Sequence, residues 1–356
     1  MTLIAIYKRE KSYAMLGDLL LSKPTAGEQP VEIPARFDKR FPLTNLNLSG
    51  LQQKVFRISP TVAVAWAGSL LTARHIIREV AKLPQPYDGR HIRHCINSME
   101  LTKAELDSVS LLFLTTIPRA NGQIDVTGCA HGYEQWANPA NPSEQMRYAG
   151  SGSYHFLEMY PFAVGKRGGR HNDQSETLGA LIGRAAQTIL LEVVSDEPHD
   201  FFYGGGFEVM IISSVGFVKV PLKFVFWMID EDKIELVGPI FSHLYDKNGI
   251  LGLRRFVRDG ESWDQKIFTV RNFMHSGESA QFEPETSIDT YWTCHYLINN
   301  AESERVFIVH DWGATSLMPP LVKFNYQKGM INWKATPEFW MQLMDAGLKL
   351  RTDESW

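Results

Sequence analysis

From Thr2 to Ile229 the strand-like and helix-like stretches come in pairs, and that order narrows the fold more than any other feature of the sequence. Thr2 to Tyr7 (TLIAIY) and Ser12 to Leu16 predict a hairpin turned by Lys8 to Lys11 and running into Gly17-Asp18. Lys54 to Ile58 and Thr61 to Trp66 predict a second hairpin around Ser59-Pro60. Helix-spaced apolar residues follow at Leu71, Ile76, Ile77, Val80 and Leu83, with Pro84 as the stop. A second helix is expected from Asp88 or Gly89 to about Leu106. Strands at Ser110 to Ile117 and Ile124 to Ala130 flank an Asn121-Gly122 turn. Gly150 to Ser153 opens a third helix, and Ser175 starts a fourth that reaches about Val194. Gly204 to Gly206 leads into strands at Glu208 to Ser213 and Phe217 to Trp227. Runs of strands separated from runs of helices predict α+β packing in layers, with two antiparallel sheets between two helix layers.

Other stretches set limits on this frame. Ser22 to Leu48 is polar and carries Pro24, Pro30, Pro34 and Pro42, so it is expected to be an inserted loop. After about Leu244 the helical periodicity disappears until Pro337 to Leu348, and seven of the nine tryptophans lie from Trp227 onward. A domain over residues 1–244 and a β-rich C-terminal extension over 245–356 are the expected division, with the tryptophans filling a small β core or an interface. The length of 356 residues fits two such domains.

Composition excludes several classes of function. A net charge of −4 provides no basic field for nucleic acid. Cys95, Cys129 and Cys294 are few and widely spaced, which predicts a reducing, cytoplasmic setting without a disulfide framework. The start MTLIAIYKREKSYAM lacks the pattern of a signal peptide, and the apolar run Val215 to Ile229 is too short to span a bilayer and is interrupted by Lys219 and Lys223. Gly204 to Gly206 lacks both GxxxxGK[ST] and GxGxxG, so no nucleotide cofactor is expected. His91, His94 and Cys95 share an expected helix but lack a further ligand, so no metal site is assigned to them. The neighbours His310 and Asp311 point to opposite faces if they lie on a strand.

Several short motifs lie along this string of elements in a recognisable order. Thr2 follows Met1 directly, Gly17-Asp18 comes sixteen residues after Thr2, Lys54 precedes Val55-Phe56-Arg57-Ile58, and Ala67-Gly68 ends a strand. Gly150-Ser151-Gly152-Ser153 and Asp200-Phe201-Phe202-Tyr203-Gly204-Gly205 follow. Over about residues 2–229 this order resembles the proteasome β-subunit branch of the N-terminal nucleophile hydrolases, including the bacterial heat-shock peptidase and Anbu-type proteins. The resemblance implies a four-layer αββα sandwich and a threonine-type peptidase. Thr2 corresponds to the nucleophile, freed by removal of Met1. Asp18 and Lys54 correspond to the active-site carboxylate and ammonium, and Gly68 to the oxyanion-hole donor. Ser151 and Asp200 correspond to the groups that orient the terminal amine. Ser22 falls where relatives hold the substrate backbone, and Trp66 where they line the first specificity pocket, although a core position for Trp66 is weighed equally. Tyr203 stands where a serine is usual.

The resemblance also implies protein or peptide substrates, no cofactor and a homo-oligomer enclosing its sites; neither a membrane nor a nucleic-acid partner is expected. Two rivals stay open: a non-catalytic assembly protein of the same shape, and an amidase for small amides.

Overall fold

The computed structural model describes residues 2–9, 11–22, 33–34, 48–85, 87–118, 124–139, 141–158, 185, 188–189, 192, 203–213, 216–230, 233–245, 249–270, 272–275, 292–299, 306–311 and 321–352. The chain divides into two compact units, residues 1–219 with 271–276, and residues 220–270 with 277–356. The boundary therefore lies at Lys219/Val220 and not at 244. Pro221 is the reason. It interrupts the apolar run, so the single strand expected from Phe217 to Trp227 is two strands, Gly216–Lys219 and Leu222–Asp230, one in each unit.

In the first unit, β1 (Ile4–Arg9) and β2 (Ser12–Asp18) form the expected opening hairpin. β3 (Leu20–Ser22) pairs with β4 (Leu48–Leu51), so the two ends of the long polar insertion meet side by side. β5 (Val55–Ser59), β6 (Val62–Gly68), β7 (Val109–Pro118) and β8 (Ile124–His131) form an antiparallel sheet in that order. β9 (Glu134–Asn138), β10 (Asn141–Ala149), β11 (Phe207–Ser213) and β12 (Gly216–Lys219) join the opening hairpin in a six-stranded sheet of order β12-β11-β2-β1-β10-β9. β9 and β10 have no counterpart among the expected strands, yet β10 pairs along the whole of β1.

β6 explains how the layers pack. Its sequence Val62-Ala63-Val64-Ala65-Trp66-Ala67 alternates large and small residues, and a strand sends successive side chains to opposite faces. Val62, Val64 and Trp66 pack with Ile76, Ile77 and Val80 of α1 (Leu70–Ala81) and Ile92 of α2 (Gly89–Ser98). Ala63, Ala65 and Ala67 face Ile4, Ile6, Met15 and Met210 of the six-stranded sheet. Two facing sheets and one helix layer are thus described. The helix expected from Ser175 to Val194 falls mostly outside the described residues; Ala185, Thr188, Ile189 and Glu192 are helical and buried.

Two expectations are corrected here. The single helix to Leu106 is two, because Met99 is extended (ψ 142°) and Thr102 begins α3 (Lys103–Asp107) with a reciprocal Thr102–Glu105 capping box. Trp66 is fully buried, its indole N–H donates to the Gln53 carbonyl (3.2 Å), and its ring meets Phe273 edge-on. The period of β6 points it at the helices, so it offers no wall to a substrate cleft. Trp66→Ala should cost about 3–5 kcal/mol in chemical denaturation, the range for emptying an aromatic core site.

The second unit holds a six-stranded sheet. Its strands are β13 (Leu222–Asp230), β14 (Lys233–Tyr245), β15 (Leu251–Asp259), β16 (Ser262–Val270), β17 (Trp292–Asn299) and β18 (Val306–Asp311), in the order β16-β15-β14-β13-β17-β18. β13 and β17 run parallel. The hairpin β19 (Val322–Gln327) and β20 (Met330–Ala335) and the helix α5 (Pro337–Thr352) complete the unit. Trp227, Trp263, Trp333 and Trp340 pack with Phe256, Phe324 and Phe339, so these tryptophans fill a core. Among the described residues no helix is long and apolar enough to cross a membrane.

Candidate active site

The site forms where the two sheets of the first unit face one another. Thr2, Asp18 and Ser151 belong with the six-stranded sheet, just before β1, at the end of β2 and just beyond β10. Lys54 and Gly68 come from the four-stranded sheet, just before β5 and at the end of β6.

Thr2 is held from three sides. Its Oγ1 accepts the Gly68 N–H (3.2 Å), its backbone nitrogen donates to Ser151 Oγ (3.3 Å), and its carbonyl accepts the Gly152 N–H (3.3 Å). The turn that brings Ser151 close depends on Gly150, whose φ is 104°; a Cβ there would fall 2.0 Å from the Thr2 carbonyl oxygen. Ser153 Oγ closes the turn by donating to the Gly150 carbonyl (2.7 Å) and begins α4 (Ser153–Glu158). Gly68, at φ 88°, also lies in the region that side chains avoid, and its N–H points at the hydroxyl. Ser69, the next residue, caps α1 by accepting the Thr72 N–H (3.3 Å).

Asp18 ties this group together. Its Oδ1 accepts both the Leu3 N–H (2.8 Å) and the Lys54 ammonium (2.6 Å), and its Oδ2 accepts the Gly204 N–H (3.0 Å). Lys54 also donates to the Leu20 carbonyl. Both charged groups are fully buried. Burial pushes the Asp18 pKa up, against the charge of Lys54 and the hydrogen bonds from Leu3, Lys54 and Gly204. Burial likewise pushes the Lys54 pKa down, against Asp18 and Glu208. The residue after Thr2 and the ammonium of Lys54 thus share one carboxylate oxygen.

Of the residues singled out in the sequence, Thr2, Asp18, Lys54, Gly68 and Ser151 converge. Asp200 lies outside the described residues. Ser22 ends β3, opposite Leu48, with only its backbone described. Trp66 belongs to the core. His91 is part of the start of α2, where its ring meets Asp88 (2.8 Å).

Two buried carboxylates, Glu192 and Glu208, and the histidine partner of Tyr203 have no counterpart in the sequence reading. Tyr203 lies beside the site, and its hydroxyl meets His155 Nδ1 on α4 (2.6 Å). Glu192 accepts the Gly205 N–H and so fixes the glycine turn whose Gly204 serves Asp18. Glu208 on β11 accepts the Lys54 N–H (3.0 Å), the Val55 N–H (3.4 Å) and Gln53 Nε2 (2.9 Å), and it also pairs with the Lys219 ammonium. The acid in Gly-Phe-Glu208 was visible, but only the fold reveals its burial.

No family profile matches the chain, and no curated protein sequence matches it. Among solved structures the chain is similar to eukaryotic HslV from Trypanosoma brucei, with 13% identity over 59% of this chain and 98% of that chain and a TM-score of 0.32. Similarity that low carries no weight on activity or assembly.

Proposed function

We propose that the chain is an N-terminal nucleophile hydrolase that cleaves amide bonds in peptides through Thr2, once Met1 has been removed. The observation that carries this reading is the placement of Thr2 Oγ1 on the Gly68 N–H, with the Thr2 nitrogen at Ser151 and Asp18 joining Leu3 to Lys54. Removal of Met1 turns the Thr2 nitrogen into a free amine. That amine takes the Oγ1 proton, directly or through one water, as Oγ1 attacks the substrate carbonyl carbon. The Gly68 N–H then faces the oxyanion, a donor worth about 2.7–4 kcal/mol to the transition state. The amine returns its proton to the leaving nitrogen, and water hydrolyses the resulting ester.

Lys54 has two roles in this scheme. Its positive charge disfavours a second cation and keeps the amine neutral, and it stabilises negative charge on Oγ1 as that charge develops. Ser151 orients the amine; Asp200 is assigned the same task on resemblance. The family likeness also carries the expectation of a closed homo-oligomer.

The pH profile of turnover has a definite shape under this scheme. On the acid side the rate rises as the amine loses its proton, and the neighbouring Lys54 charge sets that rise below the ordinary amine range of about 7.7–8.0. On the alkaline side the rate falls as Lys54 deprotonates. Because burial lowers the Lys54 pKa, that fall begins below the ordinary lysine range. A profile that stays flat through the alkaline range excludes Lys54 from catalysis.

The burial of Thr2, 2% exposed, favours a second reading in which the fold serves assembly and the hydroxyl is structural. Intact-protein mass spectrometry with and without a peptide epoxyketone separates the two. The hydrolase shows a chain lacking Met1 with one probe bound at residue 2. A chain that keeps Met1 and takes up no probe is the assembly protein.

A further inference from the structure

β5 is an edge strand of its sheet, and an edge presents backbone N–H groups that need partners. Glu208 supplies them from the opposite sheet. It is fully buried, and its Oε2 accepts the N–H groups of both Lys54 and Val55. Its Oε1 accepts Gln53 Nε2 and the ammonium of Lys219 on β12. One carboxylate thus grips three consecutive residues, 53 to 55, around the lysine that reaches Asp18. Glu208 lies opposite Gly17 in the β2–β11 register, one step from Asp18 itself.

We infer that Glu208 is a positioning residue for Lys54: it fixes the backbone that delivers the ammonium to Asp18 and contributes a negative charge that keeps this ammonium protonated, with Lys219 setting how much of that charge Lys54 feels. The inference rests on the reading of Lys54 as the ammonium of the site. Among the described residues, the charged groups facing Lys54 are Asp18 on β2, Glu208 on β11 and, behind Glu208, Lys219 on β12. The charge of Glu208 supports the protonated form of Lys54 against burial. The Lys219 ammonium works against that support by neutralising Glu208.

The arrangement predicts opposite effects from its two members. E208Q keeps the shape and one acceptor oxygen but removes the charge, so the Lys54 titration midpoint falls. K219M frees Glu208 to act on Lys54 alone, so the midpoint rises. In K219M, Gln53 and two backbone N–H groups still donate to Glu208. Each shift should be up to about one pH unit.

The experiment is an NMR titration of 13Cε-lysine-labelled full-length chain carrying Thr2→Ala, with the Lys54 signal assigned by its loss in Lys54→Arg. Opposite shifts in the two variants support the inference; no shift, or shifts of the same sign, overturn it. If E208Q does not fold, K219M decides alone: a rise supports the role of Glu208, and a fall or no change ends it. The alkaline limb of turnover, measured with Thr2 intact, should move with the NMR midpoint. Absence of turnover in the unmodified chain counts against the proposed hydrolase but leaves the Lys54 titration to decide on Glu208.

Discussion

Replacing Thr2 by alanine abolishes covalent labelling by a peptide epoxyketone and lowers amide hydrolysis by about four orders of magnitude or more, the scale on which loss of a nucleophile costs a covalent catalyst. Alanine is small enough to allow Met1 to be removed, so intact mass shows whether processing survives while labelling is lost. That control matters because retention of Met1 would block the amine and imitate loss of the hydroxyl. Thr2→Ser keeps an Oγ at the Gly68 N–H and should retain labelling. Full labelling of the alanine variant at another residue removes Thr2 from the mechanism.

Asp18→Ala should destabilise the protein by about 3–5 kcal/mol, because it leaves the Lys54 ammonium buried without its counter-charge. The Leu3 and Gly204 N–H groups lose their acceptor in the same step. Against a typical total stability of about 5–15 kcal/mol this is a large fraction, and urea denaturation would register it as a lower midpoint. Removing both charges with Asp18→Asn and Lys54→Met should recover much of that stability without recovering turnover. This separates what the pair does for the fold from what it does for catalysis. If Asp18→Ala unfolds at the same urea concentration as the unmodified chain, the pair is not buried in solution as described.

The parts of this site that were legible in the sequence depend on local chemistry. Gly150 and Gly68 adopt backbone angles that favour glycine, so Gly150-Ser151-Gly152-Ser153 and Ala67-Gly68 mark turns before any coordinates are known. Asp18 and Lys54 lie at strand ends that the apolar pattern already locates. Glu208, Glu192 and the His155–Tyr203 pair matter because of what covers them, and burial of a polar group by distant strands leaves no periodic trace. β9 and β10 were missed for a related reason. Their segment carries Pro139 and Pro142, and β9 is largely exposed, so no run of apolar residues marks it. Two errors had readable corrections: Thr102-Lys103-Ala104-Glu105 is a capping signature, and Pro221 was a boundary within an otherwise strand-like run.

The alanine lane on β6 has a consequence for how this chemistry is tuned. Gly68 and Lys54 belong to one leaf of the first unit, while Thr2, Asp18 and Ser151 belong to the other. The distance between donor and hydroxyl is therefore set by the width of a seam only one methyl group deep on its β6 side. Widening that seam by a single larger residue at Ala63, Ala65 or Ala67 should move Lys54 and the Gly68 N–H away from Thr2 together. The mutual placement of Thr2, Lys54 and Gly68 is thus held by three of the first unit's least reactive side chains.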